Sequence, residues 1–560
     1  MTEILEHFPS NFQPRSIQNE ILKDIQSQID SGYKTIILSA PTGVGKSLIA
    51  ATLARYFGSS FIVTASKHLQ DQYIKDLQFL KPVKGKSNFP CLKLMEHEKV
   101  KSEQTALQRG LTCEKGVCQE TKEKKGKTVK EICKFKPKIE ECIGNHSDDG
   151  YCHYYKQKYL ALNSDHSLWN YSSYFQLMKF SRDVFAEYID RPVAIFDEAH
   201  KIEDQIIQFI GIDIYDGNLK ECGINVKNYA LDDIDLVAQL TEDLALSYAK
   251  QVKEIKKSRS YLTNPDYPLI AKLDRKYDRM INASIEIKSN KDNFIIDEPK
   301  KDDKGNFKSL SIKPLDISKY VNSLFEVPTR IFMSATIDKD SFCENTGIAA
   351  SDVAFIDTPK SPFLLENRRV NFLNVRKLSQ KSSEEDEIEV IRKIDEILTK
   401  HSKQRGLILT SSESRCHRIK NHLSPLNMKR IRICHSMNPN GKTQDQVLQE
   451  HYGDEDGVLL SSSLWEGVDL KDDLSRFQII AKTPYPSLGE KRIKIKMRKF
   501  PLWYKSQTIM KLLQGLGRSI RSEKDWAVTY VLDSAALDLL NQSKKMIPKA
   551  YYDVLGWKTE

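Results

Sequence analysis

The chain has 560 residues, of which 40% are hydrophobic and 29% are charged. A prior of roughly 150 residues per domain predicts three to four domains with buried cores. No stretch approaches the roughly 20 apolar residues that cross a bilayer, which argues against a membrane-spanning protein. The amino terminus lacks a basic segment followed by an apolar one, so we expect no signal peptide and a cytoplasmic protein. The formal net charge of +10 permits a polyanionic partner.

The amino-terminal part alternates strands and helices. Strand-like runs occur at Thr35–Leu38, Phe61–Thr64 and Val193–Phe196, and a helix is predicted from Lys46 to about Tyr56. This rhythm is typical of βαβ units around a parallel sheet.

A phosphate-binding loop lies between the first strand and the first helix. Its glycines allow backbone N–H groups to face phosphate oxygens, Lys46 can reach the β- and γ-phosphates, and Ser47 can bind Mg²⁺. The first position is Ala where the general pattern has Gly. The loop that we interpret as an ATP site is Ala40, Pro41, Thr42, Gly43, Val44, Gly45, Lys46 and Ser47.

A cluster of cysteines follows this loop. Six of the ten cysteines lie between residues 91 and 152. In a reducing compartment such a cluster indicates metal or iron–sulfur ligation rather than disulfides. The six are Cys91, Cys113, Cys118, Cys133, Cys142 and Cys152.

The sequence Asp197-Glu198-Ala199-His200 ends an apolar strand. Carboxylates at the carboxyl end of a parallel strand lie where phosphates bind. Asp197 can therefore hold Mg²⁺, and Glu198 can orient and deprotonate the attacking water.

An insertion of helical character follows, at about 216–290. Its apolar residues recur at helical spacing, which predicts a small helical bundle with this stripe as its core. The stripe consists of Val237, Leu240, Leu244, Tyr248, Val252 and Ile255.

The second half repeats the alternation of strands and helices. Strand-like runs occur at Gly406–Thr410, Gly457–Ser461, Arg476–Ile480 and Ala527–Leu532, and helices at Glu387–Leu398 and Ile509–Leu516. Near its end, Gln514 precedes Arg518 and Arg521, two arginines three apart on one helix face. The developing charge of a transferred phosphoryl group requires such cations. The alternative is a surface helix with ordinary salt bridges.

Further motifs make the set recognisable. The chain contains Ser334-Ala335-Thr336, Trp465-Glu466-Gly467-Val468-Asp469, Asn170-Tyr171 and Ser361-Pro362-Phe363, and the cysteine insertion is flanked by Lys84–Cys91 and Cys152–Tyr155. With these motifs the chain resembles the XPD/DinG family of iron–sulfur superfamily 2 DNA helicases along nearly its whole length.

The resemblance implies an α/β fold of two RecA-like parallel-sheet domains, with an iron–sulfur insertion and a helical arch insertion in the first. The implied boundaries are 1–83, 156–215 and 291–365 for the first helicase domain, 84–155 for the iron–sulfur domain, 216–290 for the arch and 366–560 for the second helicase domain. The implied cofactors are ATP, Mg²⁺ and a [4Fe–4S] cluster, with Gly467 and Asp469 part of the nucleotide site.

The choice of cluster ligands rests on the resemblance. Cys91 and Cys152 match the family's flanking positions, and Cys113 and Cys118 are favoured as the middle pair. Cys133 is the main rival, and Cys142 is a further one. A structural Zn²⁺ ion would use the same thiolates, and the resemblance favours the cluster.

The resemblance also implies DNA contacts. It places the first strand-binding motif at Thr64, Ser66, Lys67 and Gln70, and it places Phe12, Arg15 and Gln18 near the nucleotide base. A basic run before aromatic residues also suits a single strand; the alternative is a solvated basic helix ahead of core aromatics. The run contains Lys491, Arg492, Lys494, Lys496, Arg498 and Lys499, followed by Phe500, Trp503 and Tyr504.

The predicted function is therefore an ATP-dependent 5′→3′ helicase that acts as a monomer on single-stranded and forked DNA, in repair. One rival is an RNA helicase of the DEAH group, and another is a zinc-stabilised nucleic-acid-binding protein with a vestigial ATPase. One departure concerns Asp533-Ser534-Ala535, where family members often have an arginine two residues after the aspartate.

Overall fold

The computed structural model describes residues 3–124, 127–143, 150–256, 266–379, 381–435, 441–520 and 524–557. The chain divides into two compact units. The first unit comprises Met1–Ile49, Phe332–Leu488 and Lys496–Glu560, and the second comprises Ala50–Ile331 and Gly489–Ile495.

The strands of the described residues are short. They are β1 (Thr35–Ser39), β2 (Ser60–Thr64), β3 (Lys81–Val83), β4 (Gln119–Lys124), β5 (Lys127–Ile132), β6 (His166–Asn170), β7 (Val193–Asp197), β8 (Ile212–Tyr215), β9 (Phe294–Ile296), β10 (Lys300–Lys301), β11 (Phe307–Pro314), β12 (Thr329–Ser334), β13 (Val353–Asp357), β14 (Val370–Arg376), β15 (Gly406–Leu409), β16 (Ile431–Ile433), β17 (Val458–Ser461), β18 (Phe477–Ile480) and β19 (Val528–Asp533).

The helices vary more in length. They are α1 (Ser16–Asp30), α2 (Lys46–Tyr56), α3 (Lys67–Asp76), α4 (Leu92–His97), α5 (Glu103–Gln108), α6 (Ile139–Ile143), α7 (His153–Leu162), α8 (Tyr171–Phe180), α9 (Ala186–Ile189), α10 (Ile202–Ile210), α11 (Asp216–Cys222), α12 (Ile234–Lys256), α13 (Tyr267–Ser289), α14 (Ser318–Leu324), α15 (Lys339–Thr346), α16 (Glu384–Lys400), α17 (Glu413–Asn421), α18 (Pro425–Arg430), α19 (Gln444–Gly453), α20 (Lys491–Lys499), α21 (Pro501–Leu516) and α22 (Ser534–Gln542).

The first unit contains a six-stranded parallel sheet in the order β14-β19-β18-β15-β17-β16. Successive residues of a strand point to opposite faces. Leu407 and Leu409 accordingly lie in one apolar cluster, with Ile509 and Leu513 of α21. Ile408 lies in the cluster on the other face, with α16. Helices thus cover both faces of the sheet, as a doubly wound fold requires.

Strand β1 of the same unit is buried along its whole length and pairs in parallel with β13. A strand covered on both faces explains the unbroken apolar run in its sequence. The backbone N–H of Ala40, just after β1, donates to the carbonyl of Ser334 at the end of β12 (2.9 Å).

In the second unit, β7, β2, β6 and β3 are parallel neighbours in that order. An aromatic core lies beside them, in which the ring centroids of Phe196 and Phe325 are 4.7 Å apart. The mixed α/β architecture with parallel sheets confirms the predicted fold class.

The helical insertion is built on a hairpin of two long helices, α12 and α13. Three cross-helix contacts join them: Ser284 Oγ donates to Ala238 O (3.1 Å), Lys288 pairs with Glu242 (2.6 Å), and Lys291, just after α13, pairs with Asp235. These contacts join the first turns of α12 to the end of α13, so the two helices are antiparallel. The predicted apolar stripe is buried from Val237 to Val252, which confirms the helical prediction, and Ile255 is half-buried. Strand β11 pairs antiparallel with β8 on one side and with β9 and β10 on the other.

Two element boundaries differ from the prediction. Helix α21 begins at Pro501 rather than Ile509, because Pro is well suited to the first turn of a helix. Helix α16 begins at Glu384, where Ser383 accepts a hydrogen bond from the N–H of Asp386 and the Asp386 side chain reaches back, a capping box. The domain boundaries stay predictions.

Candidate functional site

The phosphate-binding loop connects β1 to α2, as predicted. Gly43 and Gly45 have φ angles of 86° and 84°. This left-handed region is costly for residues with a side chain, which explains both glycines. Lys46 opens the helix, and its Nζ donates to the carbonyl of Ala40 (3.2 Å). The lysine side chain therefore lies across its own loop.

The start of α1 supports this loop. The Nε2 of Gln18 donates to Val44 O (3.0 Å), and Arg15 Nη1 donates to Gly43 O (2.7 Å). Gln18 is buried, whereas Phe12 and Arg15 are exposed. The structure thus places Gln18 as a support of the loop, and Phe12 and Arg15 as accessible groups.

Helix α21 ends at Leu516, beside the loop, so Arg518 follows the helix and does not lie on a helix face as predicted. A Cβ on Gly517 would lie 3.9 Å from Thr42 Oγ1. Arg518 is buried, and its Nη1 donates to the carbonyl of Val468 (2.8 Å). Gly467, the preceding residue, has a φ of 84°. The structure therefore brings Arg518 to the segment Gly467–Asp469, while Gln514 lies half-buried one turn earlier. Arg521 lies outside the residues that the structure describes.

The Asp-Glu-Ala-His motif is in the second unit. Asp197 is buried at the end of β7, and Glu198 adopts the left-handed conformation (φ 54°, ψ 45°). A non-glycine residue there stores about 1–3 kcal/mol of strain and often marks a functional site. Glu198 Oε2 lies 3.3 Å from His200 Nδ1.

Two tyrosines are hydrogen-bonded to Asp197, and the sequence did not reveal these contacts. The hydroxyl of Tyr73 donates to Asp197 Oδ2 (2.9 Å), and that of Tyr171 donates to the Asp197 carbonyl (3.1 Å). Burial raises the pKa of Tyr73 well above its usual value, and Asp197 adds to the effect. Tyr171 belongs to a recognised motif, but Tyr73 carries no pattern of its own. Only its helical spacing after the segment 64–70 could have drawn attention to it.

Three of the cysteines are close together. The Sγ atoms of Cys113 and Cys152 are 3.6 Å apart, and Cys113 is also hydrogen-bonded to Cys91. The hydrogen bond from Cys113 lowers the pKa of Cys152 to about 6, and thiolates are the form that binds metals. Cys118 interacts with the hydroxyl of Tyr155, and burial raises its pKa to about 11.

The rival cysteines differ from each other. Cys133 donates its backbone N–H to Cys118 O (3.0 Å) and interacts electrostatically with Cys91 and Cys152. Cys142 interacts instead with Lys156 and Glu141. Cys133 thus remains a candidate by position, and Cys142 is the more distant of the two.

Within the described ranges, no group of three or more His, Cys, Asp or Glu side chains has an arrangement that could hold a metal ion. Each thiolate of a [4Fe–4S] cluster binds a different iron atom, so its ligands need not converge on one point. The buried Cys91, Cys113 and Cys152, with Cys118 nearby, therefore supply the donors that a cluster requires.

A helix of the arch supports this cysteine segment. The hydroxyl of Tyr267, the first residue of α13, donates to Val117 O and accepts from Val117 N–H, both at 2.8 Å. Val117 directly precedes Cys118. Helix α13 thus restrains the backbone at Val117, between Cys113 and Cys118.

Three lysines lie over aromatic rings of the same region. Their Nζ atoms are 5.6 Å from the Tyr154 ring centroid for Lys86, 4.8 Å from that of Tyr155 for Lys136 and 4.9 Å from that of Phe185 for Lys158. Burial, and then repulsion by Lys86 and Lys136, lowers the pKa of Lys158 to about 8.

The basic helix α20 has two different faces. Arg492 is buried, with hydrogen bonds to Pro314 O (2.7 Å) and Glu203 (2.5 Å). Lys496 is buried too, with its Nζ 4.6 Å from the Trp503 ring centroid, and Trp503 is itself buried. Trp503 is therefore a core aromatic, as the alternative expected, whereas the buried Arg492 and Lys496 fit neither interpretation, since both required exposed cations. The exposed cations are Lys491, Lys494, Arg498 and Lys499, and Phe500 and Tyr504 are half-buried.

The predicted strand-binding motif is divided in the same way. Ser66 and Lys67 are exposed at the start of α3. Thr64 is buried, and Gln70 is buried with its Nε2 donating to Val83 O (3.2 Å) and Leu168 O (3.4 Å). Only the first two are accessible to a ligand.

The departure at Asp533-Ser534-Ala535 has a structural basis. The Asp533 carboxylate is fully buried, forms an ion pair with Lys482 (3.1 Å) and accepts the N–H groups of Leu378, Thr483 and Ala535. Ala535 is buried in the first turn of α22. The Asp533 carboxylate thus connects the end of β19 with the segments at Leu378 and Thr483.

Comparisons with known proteins agree with this arrangement. A family model described as the type III restriction enzyme res subunit matches residues 11–221. A model described as a helicase C-terminal domain matches residues 396–552. In the part of the chain that the structure describes, no helix has the length and apolar character needed to cross a bilayer.

Similar whole proteins are known. The chain is 24% identical over 611 residues to the ATP-dependent DNA helicase YoaA of Haemophilus influenzae, with 93% of this chain and 91% of the relative covered. It is 23% identical over 601 residues to YoaA of Escherichia coli, with 93% and 92% covered.

Solved structures show the same fold. A structure named XPD helicase has a TM-score of 0.60 at 16% identity, with 98% of this chain and 99% of that chain covered. Xpd4 of S. tokodaii has a TM-score of 0.54 at 15% identity, with 97% and 98% covered.

Proposed function

Because the chain belongs to the XPD/DinG-like family of superfamily 2 helicases and is an ATP-dependent DNA helicase, we propose that it moves 5′→3′ along single-stranded DNA and separates the duplex ahead of it. We further propose a monomer that serves DNA repair in the cytoplasm. The observation that carries the ATP-driven part of the proposal is the approach of Gly517 to Thr42, which brings the residue next to Arg518 beside the phosphate loop.

ATP binds at this loop in the proposed mechanism. Lys46 leaves the Ala40 carbonyl and contacts the β- and γ-phosphates, while the backbone N–H groups from Thr42 to Gly45 donate hydrogen bonds to phosphate oxygens. Arg518 stabilises charge that develops on the transferred phosphoryl group. Its hydrogen bond to Val468 O keeps the guanidinium oriented before substrate arrives. We propose Gln514, Arg521, Gly467 and Asp469 as further members of this site.

The hard oxygen donors of Ser47 and Asp197 are those that Mg²⁺ prefers. We propose them as its ligands, and Glu198 as the base that orients the attacking water. The metal neutralises phosphate charge when it is bound. The left-handed backbone of Glu198 gives its side chain a different direction from the one it would have in an extended strand.

For the cluster we propose Cys91, Cys113, Cys118 and Cys152 as ligands, with Cys133 as the alternative to Cys118. A [4Fe–4S] cluster, when bound, cross-links thiolates that are far apart in sequence and so couples ligand binding to folding of the insertion. Tyr267 restrains the backbone of the middle ligands from outside.

For DNA we propose contacts with Ser66 and Lys67 and with the exposed cations of α20. Lys86, Lys136 and Lys158, which lie over aromatic rings, combine cations with ring faces, as single-strand sites do. Phosphate contacts of this kind predict strong salt dependence of binding.

The decisive experiment is an unwinding assay on duplexes with a 5′ tail or a 3′ tail, with the visible absorbance of the same preparation recorded. We expect unwinding only from the 5′ tail, absorbance typical of an iron–sulfur cluster, and no ATPase or unwinding in Lys46→Ala. Unwinding from the 3′ tail alone would refute the polarity, and a colourless active enzyme would refute the cluster. ATPase stimulated by RNA but not by DNA would refute the substrate.

A further inference from the structure

The carboxylate of Asp197 accepts a hydrogen bond on each oxygen. Tyr73 donates to Oδ2 (2.9 Å), and the N–H of Glu198 donates to Oδ1 (3.0 Å). Two donors on opposite oxygens fix the rotation of a carboxylate about its last bond. Tyr73 belongs to α3, whereas the N–H of Glu198 is adjacent to Asp197 in the chain. The Tyr73 hydrogen bond is therefore the one that a movement of α3 can alter.

Tyr73 lies on α3, and the amino terminus of this helix is exposed. Ser66 caps it by accepting the N–H of Leu69 (3.3 Å), and Lys67 is its first residue. With a rise of about 1.5 Å per residue, Lys67 and Tyr73 are about 9 Å apart along the axis. A ligand that displaces the start of the helix therefore moves Tyr73 as well.

The middle of α3 is anchored to the sheet. Gln70 donates to Val83 O at the end of β3 and to Leu168 O in β6. Both bonds are buried, so the helix can respond as a rigid rod about this point rather than by bending. The phenol can donate this bond at neutral pH, because the ordinary pKa of tyrosine is about 10.

We propose that Tyr73 is a positioning residue that couples single-stranded DNA at the start of α3 to the orientation of the Asp197 carboxylate, and thereby to binding of the magnesium–nucleotide complex. The inference rests on the proposed function, because that function makes Ser66 and Lys67 strand contacts and Asp197 a metal ligand. It gives a physical route by which DNA stimulates hydrolysis.

Coupling of this kind is reciprocal. If DNA raises the affinity for the magnesium–nucleotide complex through Tyr73, then the nucleotide complex raises the affinity for DNA by the same factor. A hydrogen bond to a charged acceptor makes a difference of about tenfold in such an equilibrium. Replacing Tyr73 by Phe removes one oxygen atom and leaves the ring in place.

The test measures binding of a fluorescent, non-hydrolysable ATP analogue to the full chain, with Mg²⁺ or with EDTA, and with or without oligo(dT). In the wild type we expect Mg²⁺ to raise the affinity and oligo(dT) to raise it further. In Tyr73→Phe we expect unchanged affinity in EDTA, a loss of about tenfold from the Mg²⁺ effect, and no further increase with oligo(dT).

The matched control is Tyr174→Phe. Tyr174 is fully buried beside the same strands, and among the described residues its hydroxyl has no hydrogen-bond partner. We expect this variant to bind as the wild type does. A loss in Tyr174→Phe equal to that in Tyr73→Phe would overturn the inference, since it would show a general effect of packing.

Lys67→Ala tests the other end of α3 and decides the matter if Tyr73→Phe does not fold. We expect it to lose the increase caused by oligo(dT) even at concentrations where fluorescence anisotropy shows the oligo(dT) site to be saturated. Retention of that increase in either variant would overturn the coupling. Wild-type ATPase that oligo(dT) does not stimulate would instead count against the proposed function.

Discussion

The ring of Phe363 lies against Gly43: a Cβ on residue 43 would stand 2.3 Å from Cζ of the ring. Phe363 also forms an apolar cluster with Ile520 and Ala527. Ile520 is two residues beyond Arg518. One aromatic side chain thus connects the phosphate loop with the end of the arginine-bearing segment.

Phe363→Ala should therefore reduce catalysis more than it reduces nucleotide binding. Loss of the ring leaves a void, and a displacement of about 1 Å in a catalytic group can reduce the rate about 100-fold. We expect kcat of the DNA-stimulated ATPase to fall by at least about tenfold with a smaller change in KM, and Phe363→Leu to recover most of it. Steady-state kinetics measure both constants. The control is Phe355→Ala, at a more exposed position on β13. A kcat for Phe363→Ala equal to that of the control would contradict the role.

The buried pair of Arg492 and Glu203 should respond strongly to loss of one partner. Their side chains are only 5% and 6% exposed. Removing one member of such a pair leaves a buried unpaired charge and costs about 3–5 kcal/mol. We expect Glu203→Ala to lower the free energy of unfolding by about that amount in a denaturant titration, and the double change Glu203→Met with Arg492→Met to recover much of it.

The control for this pair is Asp538→Ala. Asp538 pairs with Lys377 at the surface, with side-chain exposures of 51% and 67%. Exposed pairs contribute less than about 1 kcal/mol. If Glu203→Ala lowers the free energy of unfolding no more than Asp538→Ala does, the predicted cost of breaking the buried pair is wrong.

Tyr267→Phe should loosen the cysteine segment while leaving the arch helix intact. The hydroxyl makes both hydrogen bonds to Val117, and groups that support metal ligands change metal affinity by about 10–100-fold. We expect the visible absorbance of the variant to decay about tenfold faster in the presence of an iron chelator. Tyr277→Phe, on the same helix, should decay at the wild-type rate. Equal decay in the two variants would rule out the supporting role.

Lys158→Met should stabilise the protein and weaken DNA binding. The folded-state pKa of Lys158 is lowered from 10.5 to about 8. Between pH 8 and pH 10.5 the unfolded chain binds more protons than the folded chain, so the contribution of Lys158 to the free energy of unfolding rises with pH. At pH 7 the buried charge of Lys158 therefore lowers the stability of the protein. We expect a higher Tm at pH 7, a Tm difference that shrinks toward pH 10, and a salt slope of single-strand binding smaller by about 0.7.

Lys134→Met is the control for Lys158. The Lys134 side chain is 60% exposed and pairs with Glu96. We expect its Tm at pH 7 to be close to that of the wild type, because the pair is exposed. A lower Tm for Lys158→Met at pH 7, or unchanged DNA affinity, would contradict the prediction.

Local patterns were enough for the phosphate loop. A buried strand, glycines with positive φ and a helix that starts at Lys46 are all encoded within about fifteen residues, so sequence and structure agree there. The apolar stripe of α12 was predictable for the same reason, since its periodicity is local.

Contacts that join distant segments were not predictable. Arg492 is 289 residues from Glu203 in sequence, and nothing in the sequence says that these two side chains meet. The separation of Cys142 from the other cysteines likewise depends on how α6 and α7 are placed. Tyr73 and Asp197 are 124 residues apart in sequence.

The backbone of Glu198 has an evolutionary consequence. Its left-handed conformation (φ 54°) is one that glycine adopts without strain. Selection for folding alone would therefore favour glycine at this position. A glutamate at this position therefore gives up backbone stability in exchange for the chemistry of its carboxylate.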